Sequence, residues 1–384
     1  MQIIVGQVAR KENFWGREAE IEDIWYKINS GSHILLVAPR RVGKTSIMHS
    51  LLDKPRSGYK VLYVSTEAAD RESEFWEKLF HKLIEEESFL ATLKIKAKHL
   101  YDKFTHQKID TLSMSGVKFA DAKEIDYARV FREIIKDLKE EQKLIIMIDE
   151  FAQTIENIIK FESEQKAEHL LKMHRELRQD DLVSSKVSFI YAGSIGLESV
   201  ASKMNATKHI NDLASIKVAP FSQEDAVAFT LALTQANEMQ IARPDIEYLL
   251  HRIEWLIPFY IQILVDELHK CKEPICQEAI DNAFYSMLDN NRNHFEHWHT
   301  RLKSFSASEY KLAKETLNIL SQTTTAPSTT IINLGYKYKL DEEATKEIMR
   351  SLVYDGYINN NDNAKEYRFN SPILKLWWCN NVAN

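Results

Sequence analysis

The chain has 384 residues, 44% of them hydrophobic and 28% charged, with a formal net charge of −6. Such a length accommodates two or three domains with separate cores, and such a balance excludes an intrinsically disordered chain. The negative balance argues against a protein built mainly to coat nucleic acid, and no apolar run reaches the roughly 20 residues that span a bilayer.

The three cysteines, Cys271, Cys276 and Cys379, form no Cys-x-x-Cys pair and read as free thiols of a reducing compartment. The N-terminus carries neither a basic segment nor a long apolar stretch. A cytoplasmic protein with no membrane partner is the expectation.

Taken in chain order, the first two-thirds alternate short apolar runs with helical patterns, which predicts an α/β fold with a parallel sheet covered on both faces. The runs are His33–Ala38, Lys60–Ser65, Lys143–Ile148, Val187–Ala192 and Ala214–Ala219, the last stopped by Pro220. Between the second and third runs the pattern is mostly helical. Within it, 92–108 holds five lysines against Asp102, either a solvated helix face balancing Glu85–Glu87 or a nucleic-acid contact.

Ser222 is placed to cap a new helical region that runs to about residue 288 with breaks near Pro244 and Pro258. From Ser308 three helices are expected, over about 308–321, 328–334 and 341–355. Gly356 closes the last of them, and Tyr357-Ile358 pairs with Tyr367–Phe369 across an Asn/Asp-rich turn. That order of elements describes a winged helix. The expected domains are a P-loop core over 1–220, a helical lid over 221–290 and a winged helix over 291–384.

The chemistry concentrates where the strands end. Ala38-Pro39-Arg40-Arg41-Val42-Gly43-Lys44-Thr45 matches the phosphate-loop pattern G-x-x-x-x-G-K-S/T, with Ala38 in place of the first glycine. A strand-to-helix loop of this kind aims backbone N–H groups and a helix N-terminus at the phosphates of ATP or ADP. Gly43 allows close approach, Lys44 supplies a point charge, Thr45 offers its hydroxyl to Mg²⁺, and Ser46 reaches toward the α-phosphate. Alanine at 38 requires a negative φ there.

Leu144–Ile148 then delivers Asp149 and Glu150 to a strand end. Asp149 is suited to hold Mg²⁺ through water, and Glu150 to polarise the attacking water. Ser194, after the fourth run, is either a sensor of the γ-phosphate or part of a Gly-Ser turn. His294, His297 and His299 suit an amphipathic helix better than a metal site.

Taken together these motifs resemble the archaeal-type ATPases of the STAND class, signal-transduction ATPases with numerous domains, and more distantly the origin-recognition ATPases. Phe14-Trp15-Gly16-Arg17-Glu18 is similar to the family's Phe-x-Gly-Arg-Glu box, and Arg40–Ser46 to its Arg-Arg-x-Gly-Lys-Thr-Ser loop. Ile148–Phe151, Ala192–Ser194, Tyr354–Ile358 and Trp377-Trp378 also fit.

The resemblance implies nucleotide held between the core and a lid, with Trp15, Gly16 and Arg17 near adenine and ribose. It implies that exchange or slow hydrolysis switches the packing of the winged helix and thereby a separate protein partner. The family's lid Gly-x-Pro stands here as Leu256-Ile257-Pro258, so only Pro258 carries over. No arginine occurs from Gln179 to Ala242, a stretch that includes the segment between the fourth and fifth strands where ring ATPases present a trans-acting finger, so a hexameric motor is disfavoured while other oligomers stay open. The alternative, a DNA-binding regulator or loader, is weakened by Asp341-Glu342-Glu343 at the start of the recognition helix.

Overall fold

The computed structural model of the chain describes residues 1–85, 111–113, 116–118, 126–138, 143–193, 196–271 and 274–383. They form two compact units, one of Arg17–Val37 with Lys44–Lys217, the other of Met1–Gly16, Ala38–Gly43 and Val218–Asn384.

The first unit is built on strands β1 (Ile34–Val37), β2 (Tyr59–Ser65), β5 (Lys143–Asp149), β6 (Val187–Tyr191) and β7 (Ala214–Lys217), ordered β2-β5-β6-β1-β7. Every pairing in this sheet is parallel. Parallel strands are buried on both faces, which is why Leu144–Ile148 reads as an unbroken apolar run and is buried throughout. Phe75, Trp76 and Leu79 of the helix Glu72–Glu85, Phe131 and Ile134 of Tyr127–Lys136, and Ile155 and Ile158 of Phe151–Phe161 share one core with strand residues Leu62, Ile146 and Phe189.

The stretch between β2 and β5 also holds a short antiparallel pair, β3 (Thr111–Ser113) and β4 (Gly116–Lys118), where the sequence pattern read as helix. Strands of three residues are too short to leave a period. The lysine-rich segment 92–108 lies outside the described residues.

The second unit is helical, with a small sheet near its end. Ser222 accepts a hydrogen bond from Asp225 N and caps Gln223–Ala236. Pro244 stands in the first turn of Arg243–Ile253, and Pro258 opens Pro258–Cys271, positions where the missing N–H is not needed. Gln277–Asn290, Arg292–Arg301, Ala307–Gln322, Ser328–Lys337, Glu342–Tyr354 and Pro372–Asn381 follow.

Gly356, at φ +84°, turns the chain out of Glu342–Tyr354. Strand β9 (Ile358–Asn359) then pairs antiparallel with β10 (Glu366–Phe369), and β10 with β8 (Ala326–Pro327). Tyr260, Phe295, Trp298, Leu317, Tyr357 and Trp378 lie in the core of this unit. Among the described residues, no helix is long and apolar enough to cross a membrane.

Candidate nucleotide site

In the sheet unit, Lys44 opens the helix Lys44–Asp53 and is buried. The first-turn N–H groups of a helix have no partner within it, and its dipole is positive there, so this end favours an anion. Thr45 Oγ1 donates to Asp149 Oδ2 at 2.8 Å, and Asp149 is the last residue of β5. Two sequence-predicted residues 104 positions apart are thus in direct contact.

A second hydroxyl, which the sequence did not single out, joins them: Tyr63 of β2 donates to the same Oδ2 at 2.9 Å. Asp149 Oδ1 accepts from Glu150 N at 3.1 Å. Burial pushes the Asp149 carboxyl above the usual aspartate value, and the hydrogen bonds from Thr45 and Tyr63 pull the other way.

Glu150 stands in the left-handed region, φ 58° and ψ 31°, at the start of Phe151–Phe161. A non-glycine residue there costs about 1–3 kcal/mol and persists only when its surroundings enforce it. They do so through threonines. Thr66 N and Oγ1 both donate to Asp149 O, at 3.0 and 3.1 Å, and Thr154 Oγ1 donates to Thr66 O at 2.8 Å. Thr154 N donates in turn to Glu150 O at 3.1 Å. The turn that presents the two acids is fixed on both sides.

Residues 38–43 belong to the other unit. Ala38 keeps a negative φ, as alanine needs, whereas Arg41 (φ 63°) and Gly43 (φ 108°) take positive values. Each residue from 39 to 41 meets a residue from the C-terminal half. An added Cβ on Gly356 would lie 3.3 Å from Pro39 Cβ. Arg40 Nη1 is 2.5 Å from His297 Nδ1. The Arg41 guanidinium sits 4.0 Å over the ring of Phe259, next to Pro258, and burial lowers its pKa. Val42 is buried.

The Trp15 ring lies 6.4 Å from that of Phe229 in Gln223–Ala236, and an added Cβ on Gly16 would lie 3.5 Å from Phe221, just before that helix. Arg17, in the sheet unit, is buried and pairs with Glu20 at 2.8 Å. Ser46 occupies the first turn of Lys44–Asp53. Ser194 lies outside the described residues. Of the histidines, His297 meets Arg40 and His299 meets Tyr310 Oη at 3.1 Å. Among the described residues no group of three or more His, Cys, Asp or Glu is placed to hold a metal.

The oxygens of Thr45 and Asp149 would suit Mg²⁺, which takes one or two protein oxygens and completes its octahedron with phosphate oxygens and water. The Thr45 proton is committed to Asp149, which leaves the lone pairs of Oγ1 for a cation. Thr45 would hold the ion directly and Asp149 its water. Bound there, Mg²⁺ would neutralise charge that develops on the phosphates during transfer.

The family model described as "ATPase domain predominantly from Archaea" matches residues 14–254. Among solved structures, the chain is similar to a Walker-type ATPase of Pyrococcus abyssi at 17% identity, covering 98% of this chain and 99% of that one with a TM-score of 0.66. It is also similar to the Aeropyrum pernix ORC2 protein in its ADPNP–ADP complexes, at 12% identity, 96% and 94% coverage and a TM-score of 0.55. At these identities the likeness shows a shared fold. No curated protein matches the sequence. The family model covers well over half of the chain, and the protein therefore belongs to the predominantly archaeal ATPase family and is a nucleotide-binding P-loop ATPase.

Proposed function

We propose that the chain is a slowly hydrolysing ATP switch of the STAND type, in which nucleotide state controls the packing of the C-terminal half and thereby a separate protein partner. In this reading 1–220 is the ATPase core, 221–290 the lid and 291–384 a winged helix. Residues 39–46 take the phosphates, Lys44 supplies charge, Thr45 and Asp149 hold Mg²⁺, and Glu150 activates water. Trp15, Gly16, Arg17 and Pro258 take the nucleoside, and Ser194 senses the γ-phosphate.

The observation that carries the proposal is the engagement of Pro39, Arg40 and Arg41 by Gly356, His297 and Phe259. The loop that receives phosphate is held by the elements whose packing is to be switched. Arginines drawn onto phosphate would have to leave these partners or carry them along.

DNA loading is the weaker reading. Lys346 pairs with Glu342, and Arg350 with Glu343 and Glu347, so acids of the same helix already neutralise its bases. Limited proteolysis with Mg-ADP and with a non-hydrolysable Mg-ATP analogue tests the switch. Different cleavage patterns within 218–384 are expected, and identical patterns would overturn it.

A further inference from the structure

The Asp149 carboxylate receives three hydrogen bonds, and two of them converge on one oxygen. Thr45 Oγ1 and Tyr63 Oη donate to Oδ2 at 2.8 and 2.9 Å, while Glu150 N donates to Oδ1 at 3.1 Å. Thr45 and the Glu150 amide belong to segments already assigned a part in the reaction. Tyr63 does not.

Its position follows from the sheet. In the parallel pair β2–β5, Ser65 stands opposite Asp149 and Tyr63 opposite Met147. Residues two apart share a face, so Tyr63 lies diagonal to Asp149 on one side of the sheet. A tyrosine is long enough to span that diagonal. The ring also packs against His49 of Lys44–Asp53, with centroids 4.5 Å apart. Tyr63 is therefore braced on the helix that carries Thr45 and bonded to the strand end that carries Asp149.

A carboxylate held by one hydroxyl can still rotate about its Cβ–Cγ bond. With Thr45 and Tyr63 both on Oδ2 and the amide on Oδ1, its plane is set and Oδ2 is kept toward Thr45. A metal ion gains from that arrangement, because loss of a partner that orients a ligand typically costs about 10–100-fold in metal affinity.

We propose that Tyr63 is a positioning residue for the magnesium site: its hydroxyl fixes the Asp149 carboxylate so that Thr45 and Asp149 meet Mg²⁺ in one geometry. The inference rests on the reading of Thr45 and Asp149 as the magnesium residues. In this role Tyr63 acts through Asp149, to which its hydroxyl donates. Its loss raises the metal concentration required and leaves metal-free nucleotide binding alone.

The test uses the full-length protein with ADP and Mn²⁺, whose electron paramagnetic resonance reports free and bound ion. Tyr63→Phe is expected to weaken Mn²⁺ binding to the ADP complex by about tenfold, the lower end for loss of an orienting partner. Its ADP affinity in EDTA is expected to match the parent, a split that general loosening would not give. Tyr63→Gln, which keeps an N–H donor, is expected to recover part of the loss, and it serves as the test should the phenylalanine variant not fold.

Unchanged Mn²⁺ affinity in Tyr63→Phe, or an equal loss of ADP affinity in EDTA, overturns the inference. Thr45→Ala separates the two levels. If it too leaves Mn²⁺ binding unchanged, the magnesium assignment itself is wrong; if it alone weakens binding, only the role of Tyr63 falls.

Discussion

The Arg41 guanidinium stacks 4.0 Å over the Phe259 ring, so an arginine of the phosphate loop is held by the helix that Pro258 opens. A desolvated cation–π contact contributes about 1–2 kcal/mol. A double-mutant cycle of Arg41→Ala and Phe259→Leu, read by urea unfolding without nucleotide, should give a coupling of that order. Saturating Mg-nucleotide should reduce it, as phosphate competes for the arginine. A coupling near zero without nucleotide, or one that nucleotide leaves unchanged, contradicts this.

Lys44 and Glu150 should fail differently. Lys44→Ala removes a charged donor worth about 1.5–3 kcal/mol, so Mg-ATP affinity should fall about 10- to 100-fold by calorimetry. Glu150→Gln keeps the side-chain shape and should retain affinity while phosphate release stops. If Glu150→Gln hydrolyses ATP at the parent rate, Glu150 is not the base.

Gly356 meets two demands. Its φ is +84°, and an added Cβ would lie 2.5 Å from Trp255 Cη2. Gly356→Ala should destabilise the protein by about 1–3 kcal/mol from backbone strain, with the clash adding to it. Adding Trp255→Leu should relieve the clash and leave the backbone cost, so the double variant should unfold at higher denaturant than Gly356→Ala. Equal midpoints would mean the indole does not press on Gly356.

Arg178 and Asp212 form a two-pronged pair, Nε to Oδ2 at 2.7 Å and Nη2 to Oδ1 at 2.8 Å. Burial pushes the Asp212 carboxyl up, but the hydrogen bonds and charge of Arg178 outweigh it and hold the pKa below the usual aspartate value. A depressed carboxyl contributes stability above its unfolded pKa, and the contribution is lost as pH falls through the lower folded value. Unfolding free energy should therefore decline below about pH 4, and Asp212→Asn should flatten that decline. Parallel curves for the two proteins would contradict the assignment.

How much was legible follows from how local each signal is. The strand ends, the Gly43-Lys44-Thr45 turn and the Asp149-Glu150 pair are written in contiguous residues, and the five strands stand where their apolar runs predicted. Tyr63 was not legible, because its role depends on the register of β2 against β5, which pairs residues 84 positions apart. The partners of Arg40 and Arg41 were hidden for the same reason, since His297 and Phe259 meet them only after the helices pack. The β3–β4 pair was missed because three-residue strands carry too few positions to show alternation.

Hydrogen–deuterium exchange under Mg-ADP and under a non-hydrolysable Mg-ATP analogue tests the switch most directly. The account predicts that protection changes between the two states in Pro258–Cys271 and around Gly356, as well as in the phosphate loop. Changes confined to residues 38–46 and to Asp149-Glu150 would contradict it.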